Sequence, residues 1–172
     1  HETILGFHDT KARYEVFQHA VEADVCGRAK DVQREISFFQ DREDITGVLG
    51  QMQAEGKLPL RVTHNDTKLN NIMMDKKTGK GICVIDLDTV MPGLSVHDFG
   101  DSIRFGASSG AEDEPDLSKV NFDIHLFELY TKGFLEGCQG SLTETEIAML
   151  PMGAKVMTYE CGMRFLTDYL QG

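Results

Sequence analysis

Arg61-Val62-Thr63-His64-Asn65-Asp66-Thr67-Lys68-Leu69-Asn70-Asn71-Ile72-Met73-Met74 is the densest polar cluster in the chain, and its reading decides the fold. It lies between two short runs, Leu60–Val62 and Ile72–Met74, whose apolar and β-branched content predicts strands. Fifteen residues after Asn71 comes Asp86, at the end of the apolar run Ile82-Cys83-Val84-Ile85 and followed by Leu87 and Asp88. The pattern is H-x-D-x-x-x-x-N, then a strand that ends in a carboxylate.

That order of residues suits phosphoryl transfer. Moving a γ-phosphoryl group needs a carboxylate to orient the attacking hydroxyl and take its proton, and hard oxygen ligands to hold Mg²⁺ against the phosphates. Asp66 suits the first task, and Asn71 with Asp86 suits the second. An amide oxygen from Asn71 adds a ligand without another full negative charge where a polyanionic nucleotide must approach. Lys68 stands two residues after Asp66, where its ammonium can offset charge developing on the transferring group. His64 reads as a brace of the loop rather than a base.

Outward from this cluster the chain reads as α+β and mostly helical, with a small β-hairpin bearing the catalytic and metal residues. Ala12, Val16, His19/Ala20 and Ala23 recur at helical spacing over 9–24, with Asp9 or Thr10 as cap. Val32, Ile36, Phe39, Ile45, Val48, Leu49 and Met52 predict two helices in a bent pair broken near Asp44 and Gly47. Turn formers Lys76-Lys77-Thr78-Gly79 separate the second and third strand signals, and helix returns around Val96. Gly106–Lys119, with the acidic 112–116 segment, predicts a mobile, solvated surface loop. Phe122, Leu126, Leu129/Tyr130 and Phe134 mark a helix ending near Gly137. Thr143 and Glu146 form a capping box that opens a helical region over 144–152, and a last stripe from Val156 to Leu170 predicts a helix toward the end of the chain.

Composition narrows the function. The 17 basic and 28 acidic side chains among 172 residues leave a formal charge of −11, and Lys and Arg do not cluster, so a nucleic-acid footprint is excluded. No apolar run approaches the ~20 residues a spanning helix requires, which excludes the membrane. The first 30 residues carry no signal peptide, and Cys26, Cys83, Cys138 and Cys161 have no C-x-x-C spacing, so they read as reduced thiols of a cytoplasmic protein.

The segments His64-Asn65-Asp66-Thr67-Lys68-Leu69-Asn70-Asn71-Ile72 and Val84-Ile85-Asp86-Leu87-Asp88 resemble the aminoglycoside phosphotransferase and choline kinase group of small-molecule kinases, related in fold to protein kinases. Asn65 stands where protein kinases usually carry Arg, and no A-P-E tripeptide follows, which favours the small-molecule branch. Within it, Ile85–Gly93, His97–Arg104, Gly6-Phe7-His8-Asp9 and Cys26–Lys30 look like kinases of N-acetylhexosamines that act at the anomeric hydroxyl. The resemblance implies ATP and Mg²⁺ as cofactors and a small hydroxylated acceptor. It also implies that Thr89 and Arg164 meet the sugar with Asp66, and that Asp98 ties the catalytic loop to the helix below. A Thr after a strand is also a common turn former, and an Arg on a helix is commonly a surface residue, so both readings stay open. Asp88 reads equally as a solvated residue or a second metal or substrate contact.

Asp98-Phe99-Gly100 spells the tripeptide that holds magnesium in protein kinases, but spacing assigns the metal to Asp86, 20 residues beyond Asp66 and directly after a strand, rather than to Asp98, 32 beyond. Neither a G-x-G-x-x-G loop nor a strand Lys for the α/β-phosphates is present. Residues 1–172 therefore read as the C-terminal lobe of a kinase-like fold, with the nucleotide-clamping N-terminal lobe missing and the fragment alone inactive. Two other functions draw on the same residues: a non-catalytic substrate-binding or regulatory module that keeps the lobe's fold, and a metal-dependent hydrolase built on His64, Asp66, Asp86 and Asp88. His1, His8, His19 and His125 read as structural or exposed, and His97 is left without a role.

Overall fold

The computed structural model describes residues 2–111 and 114–172. His1, Glu112 and Asp113 lie outside the described residues, so the reading of His1 and most of the acidic segment 112–116 is not addressed. The element order is α1 (Thr10–Ala23), α2 (Gln33–Gln40), α3 (Val48–Ala54), β1 (Arg61–Thr63), β2 (Ile72–Met74), β3 (Gly81–Val84), β4 (Met91–Gly93), α4 (Ser95–Gly106), α5 (Ile124–Cys138) and α6 (Glu144–Gln171). Short 3₁₀ turns fill several of the gaps. The mostly helical α+β reading holds.

Local chemistry explains most boundaries. Asp9 caps α1 by accepting from the Ala12 amide, and α1 ends where Asp24 turns left-handed. The bent pair is α2 and α3, joined by a 3₁₀ turn at Glu43–Ile45. The capping box is present: Thr143 accepts from the Glu146 amide while Glu146 accepts from the Thr143 amide.

Two expectations are corrected, for the last helix and for the 106–119 loop. The regions 144–152 and 156–170 form one continuous helix of 28 residues with Pro151 inside it. Proline forfeits one backbone bond but has a helical φ, and the helix carries on because Leu150, Gly153 and Val156 on either side are buried. Met91-Pro92-Gly93, which carries no strand signal in the sequence, forms β4 and pairs antiparallel with β1, Thr63 opposite Met91 and Arg61 opposite Gly93. A proline is tolerated there because a two-stranded sheet is all edge. The 106–119 loop is tied at both ends, by an antiparallel bridge between Ser108 and Phe122 and by an Asp116-capped turn at Leu117–Lys119.

The core lies where α1, α2, α4 and α6 meet, around Phe17, Phe39, Val96, Phe99, Ile103, Val156 and Met163, with Phe39 packed edge-on against both Phe17 and Tyr159. The α4–α6 crossing is close because it is made by two glycines. A Cβ on Gly100 would overlap the Gly153 carbonyl, and one on Gly153 would overlap the Val96 carbonyl. The tripeptide Asp98-Phe99-Gly100 is thereby explained by packing: Phe99 is core and Gly100 is the crossing point.

The β2–β3 hairpin, bulged between Met73 and Met74, stands off this core. All seven of its residues are exposed, and Ile85 and Leu87 beyond it are exposed as well. No helix among the described residues is long and apolar enough to cross a membrane.

Candidate active site

The site is built on the connection from β1 to β2. After Thr63 the chain turns through Asn65, which has a left-handed φ of 65°. Asn is one of the few side chains that adopt this region readily. Here the Asn65 amide side chain pins the turn, donating to the Thr89 carbonyl and accepting from the Thr63 hydroxyl. Asp98, in the first turn of α4, receives the loop from below: Oδ2 accepts from the His64 amide at 2.9 Å and Oδ1 from the Asn65 amide at 2.7 Å. Thr67 donates to the Asp98 carbonyl. Burial pushes the Asp98 carboxyl upward, and the two amides offset part of that rise.

Asp66 follows, half-buried. Its Oδ2 accepts from Asn71 Nδ2 at 2.9 Å, and its backbone carbonyl accepts from the same nitrogen at 2.9 Å. Lys68 Nζ lies 3.4 Å from that Oδ2. Asn71 is buried, and because its nitrogen is committed to Asp66, its oxygen is the atom left for a cation. Asp86 follows the end of β3 after one intervening residue, Ile85, and is exposed, in a left-handed conformation with φ 61°. The Ile85 amide bonds to the Asn71 carbonyl, so the hairpin pairing brings Asp86 to the end of the ladder that starts at Asn71. An amide oxygen and a carboxylate form a donor set that fits Mg²⁺, which commonly takes one or two protein ligands and fills its shell with phosphate and water.

His64 has both ring nitrogens engaged: Nε2 lies 3.0 Å from the Ile85 carbonyl, and Nδ1 accepts from the Asp66 amide at 3.3 Å. One nitrogen faces an acceptor and the other a donor, so the neutral ring protonated at Nε2 satisfies both. Neither nitrogen is left for a metal, which removes a ligand from the hydrolase reading. Thr89 donates its hydroxyl to the His64 carbonyl at 2.7 Å, leaving only its acceptor lone pairs for a ligand. Asp88 is exposed in the turn Leu87–Thr89.

Beside Asp66 a cavity of about 140 Å³ opens between α4 and α6, lined by Asp66, Lys68, Asp101, Arg104, Glu160 and Arg164 among others. Arg164 therefore shares a cavity with Asp66, although 98 residues separate them. Its guanidinium lies over the Phe165 ring, 5.8 Å from the centroid. Asp101 was not singled out by spacing. It is 5% exposed, its Oδ1 takes both Arg104 bonds, and its Oδ2 is buried with no hydrogen-bond partner. A second cavity, about 490 Å³, lies behind the loop against Thr46, Met91, Leu94 and His97 and does not reach Asp66.

Two further residues at the site lay outside the motif: His8 and Glu160. Glu160 is 5% exposed. Burial raises its carboxyl, but His8, the Thr10 hydroxyl and Arg13 together outweigh that and hold it below the usual range. His97 packs against His8 with ring centroids 5.0 Å apart, and burial, aided by His8, pushes its pKa down to about 4. The segments Gly6–Asp9 and Glu160–Asp168 each caught attention through resemblance, but no spacing rule joins residue 8 to residue 160.

A family model described as phosphotransferase enzyme family matches residues 5–128, from ahead of α1 into α5, and so takes in the β1–β2 connection, the β2–β3 hairpin and Asp98. A match over well more than half of the chain, centred on the residues assembled above, places this protein in the phosphotransferase enzyme family.

Proposed function

We propose that the chain carries the acceptor-binding and metal-binding part of an ATP- and Mg²⁺-dependent kinase that phosphorylates a hydroxyl of a small polyhydroxylated molecule, an N-acetylhexosamine or a related sugar. The observation that carries the reading is the placement of Asp66: its carboxylate is held by Asn71 and borders a cavity lined by Lys68, Asp101, Arg104 and Arg164.

In this reading Asp66 orients the acceptor hydroxyl and takes its proton. Asn71 fixes the carboxylate with its nitrogen and offers its oxygen, with Asp86, to Mg²⁺. The bound ion would offset phosphate charge. Lys68, already beside Asp66, faces the charge that develops on the transferring group. Arg164, Lys68 and Asp66 line the acceptor cavity with donors and an acceptor, a set suited to a neutral ligand rich in hydroxyl or amide groups. The exposed apolar residues of the hairpin, Ile82 and Val84 among them, offer a seat for a nucleotide-clamping lobe, which this reading requires.

The test is Asp66→Asn in the intact protein, with phosphorylation of N-acetylhexosamines and nucleotide binding measured side by side. Loss of turnover with nucleotide binding retained is expected. Unchanged turnover would remove Asp66 as the base, and sugar binding without any phosphorylation by the parent protein would point to a non-catalytic binding module instead.

A further inference from the structure

The peptide plane that joins Asn65 to Asp66 is held at both ends by histidines. Its N–H, on Asp66, meets His64 Nδ1 at 3.3 Å. Its C=O, on Asn65, meets His8 Nε2 at 3.0 Å from 57 residues upstream. The other nitrogen of His8, Nδ1, lies 2.9 Å from Glu160 Oε1 on α6.

The two histidines differ in what they face. His64 meets one acceptor and one donor, so a neutral ring serves it. His8 meets two groups that only accept: a backbone carbonyl and an ionised carboxylate. A neutral imidazole has one N–H and can make only one of these bonds, while the other nitrogen would turn a lone pair toward an oxygen. Both bonds are made together only when the ring carries both protons. Glu160 is built to support that cation. It is buried and held ionised by His8 itself, by the Thr10 hydroxyl on Oε2 and by Arg13 Nε, 3.3 Å from Oε1.

We propose that His8, as an imidazolium paired with Glu160, is a positioning residue for Asp66: it grips the carbonyl of the preceding peptide and so sets the direction of the catalytic carboxylate. The charged or titratable groups around it are Glu160 from α6, Arg13 from α1, and His97 and Asp98 from α4. Without a proton on Nε2 a lone pair would confront the Asn65 carbonyl, the peptide plane would lose its hold, and Asp66 would lose its direction. This inference rests on the assignment of Asp66 as base.

The experiment combines a spectroscopic and a kinetic arm on the intact protein. Imidazole ¹⁵N spectra of the folded protein should show both His8 nitrogens protonated, and the Asp66 amide resonance should shift when His8 is replaced by Gln. A singly protonated ring, or an Asp66 amide that ignores the substitution, overturns the proposal without any appeal to activity. In the kinetic arm, His8→Gln should lower kcat by about 100-fold, the scale expected when a reacting group is misplaced, with nucleotide KM little changed. A folded His8→Gln protein with parental kcat overturns the proposal. Glu160→Gln provides a second check: it removes the carboxylate that faces Nδ1 and leaves an amide whose oxygen must also serve Arg13, so the hold of the ring on Asn65 weakens. Its kcat should fall in the same direction as in His8→Gln with nucleotide KM little changed, and a folded Glu160→Gln protein with parental kcat overturns the proposal. If Asp66→Asn left turnover intact, the base assignment would fail by itself, while the spectra would still report whether His8 holds the peptide.

Discussion

Asn71 Nδ2 stands 2.9 Å from the backbone carbonyl oxygen of Asp66 and 2.9 Å from its Oδ2, so one amide nitrogen holds both the main chain and the side chain of the same residue. Asn71→Asp replaces that donor with a second carboxylate beside the first. Like charges at this range disfavour joint ionisation, so the acid limb of the kcat profile should move to higher pH and the plateau should fall by about 100-fold or more. A pH–rate series on the intact protein checks both effects.

Asp101→Asn tests a buried pair. Asp101 Oδ2 is buried and unpartnered while Oδ1 accepts from Arg104. The variant turns a charge-assisted contact into a neutral one and buries an amide nitrogen where no acceptor stands, so stability should fall by about 1–3 kcal/mol. A shift of the urea midpoint at pH 7 checks it.

Stability should fall in two stages as the solution is acidified. Burial lowers the His97 pKa from 6.5 to about 4, so the unfolded chain binds the proton first. The stability this group confers is complete above pH 6.5, is lost as pH falls toward 4, and amounts to about 3 kcal/mol. Glu146, held by Arg61 and the Thr143 and Ser95 groups, is lowered from 4.5 to about 2, and its contribution disappears between those values. Urea midpoints measured from pH 7 to pH 3 should decline throughout. His97→Phe should flatten the part between pH 6.5 and 4.

Gly153→Ala should destabilise the fold by about 2–3 kcal/mol, the scale of forced overpacking. The added methyl meets the Val96 backbone rather than a movable side chain, so α4 must withdraw from α6. Because Asp98 lies two residues along α4 from Val96, turnover should drop more than the loss of folded protein explains. Parallel denaturation and kinetic measurements separate the two losses.

How far the chain could be read depended on the range of the interaction. The run from His64 to Asp86 is legible because its logic is local: a loop between two strand signals, with spacing that a hairpin converts into proximity. The Thr143–Glu146 cap is legible for the same reason, since its partners are three residues apart. What Glu146 does with its remaining capacity is not, because Arg61 and Ser95 reach it only through tertiary packing. The continuity of α6 is not legible, because 144–152 and the stripe from Val156 each read as helix alone, while the packing of Gly153 against α4 that carries the chain from one to the other is tertiary. Asp101, His8 and Glu160 belong to the same class as Arg61: each is unremarkable in its own neighbourhood and gains its place at the site when α4 and α6 close over the loop.

The closure of His8 and Arg13 on Glu160 also fixes an order of events. The loop around Asp66 is complete as peptide long before α6 exists, yet the group that grips its carbonyl is oriented by a carboxylate 152 positions further along than His8. During synthesis, when domains form as their residues emerge, the helices and hairpin of the first two-thirds can assemble while this loop is still held from one side only. The loop is therefore held from both sides only after α6 has docked, so the growing chain carries the Asp66 carboxylate unaligned until residue 160 has been added and packed.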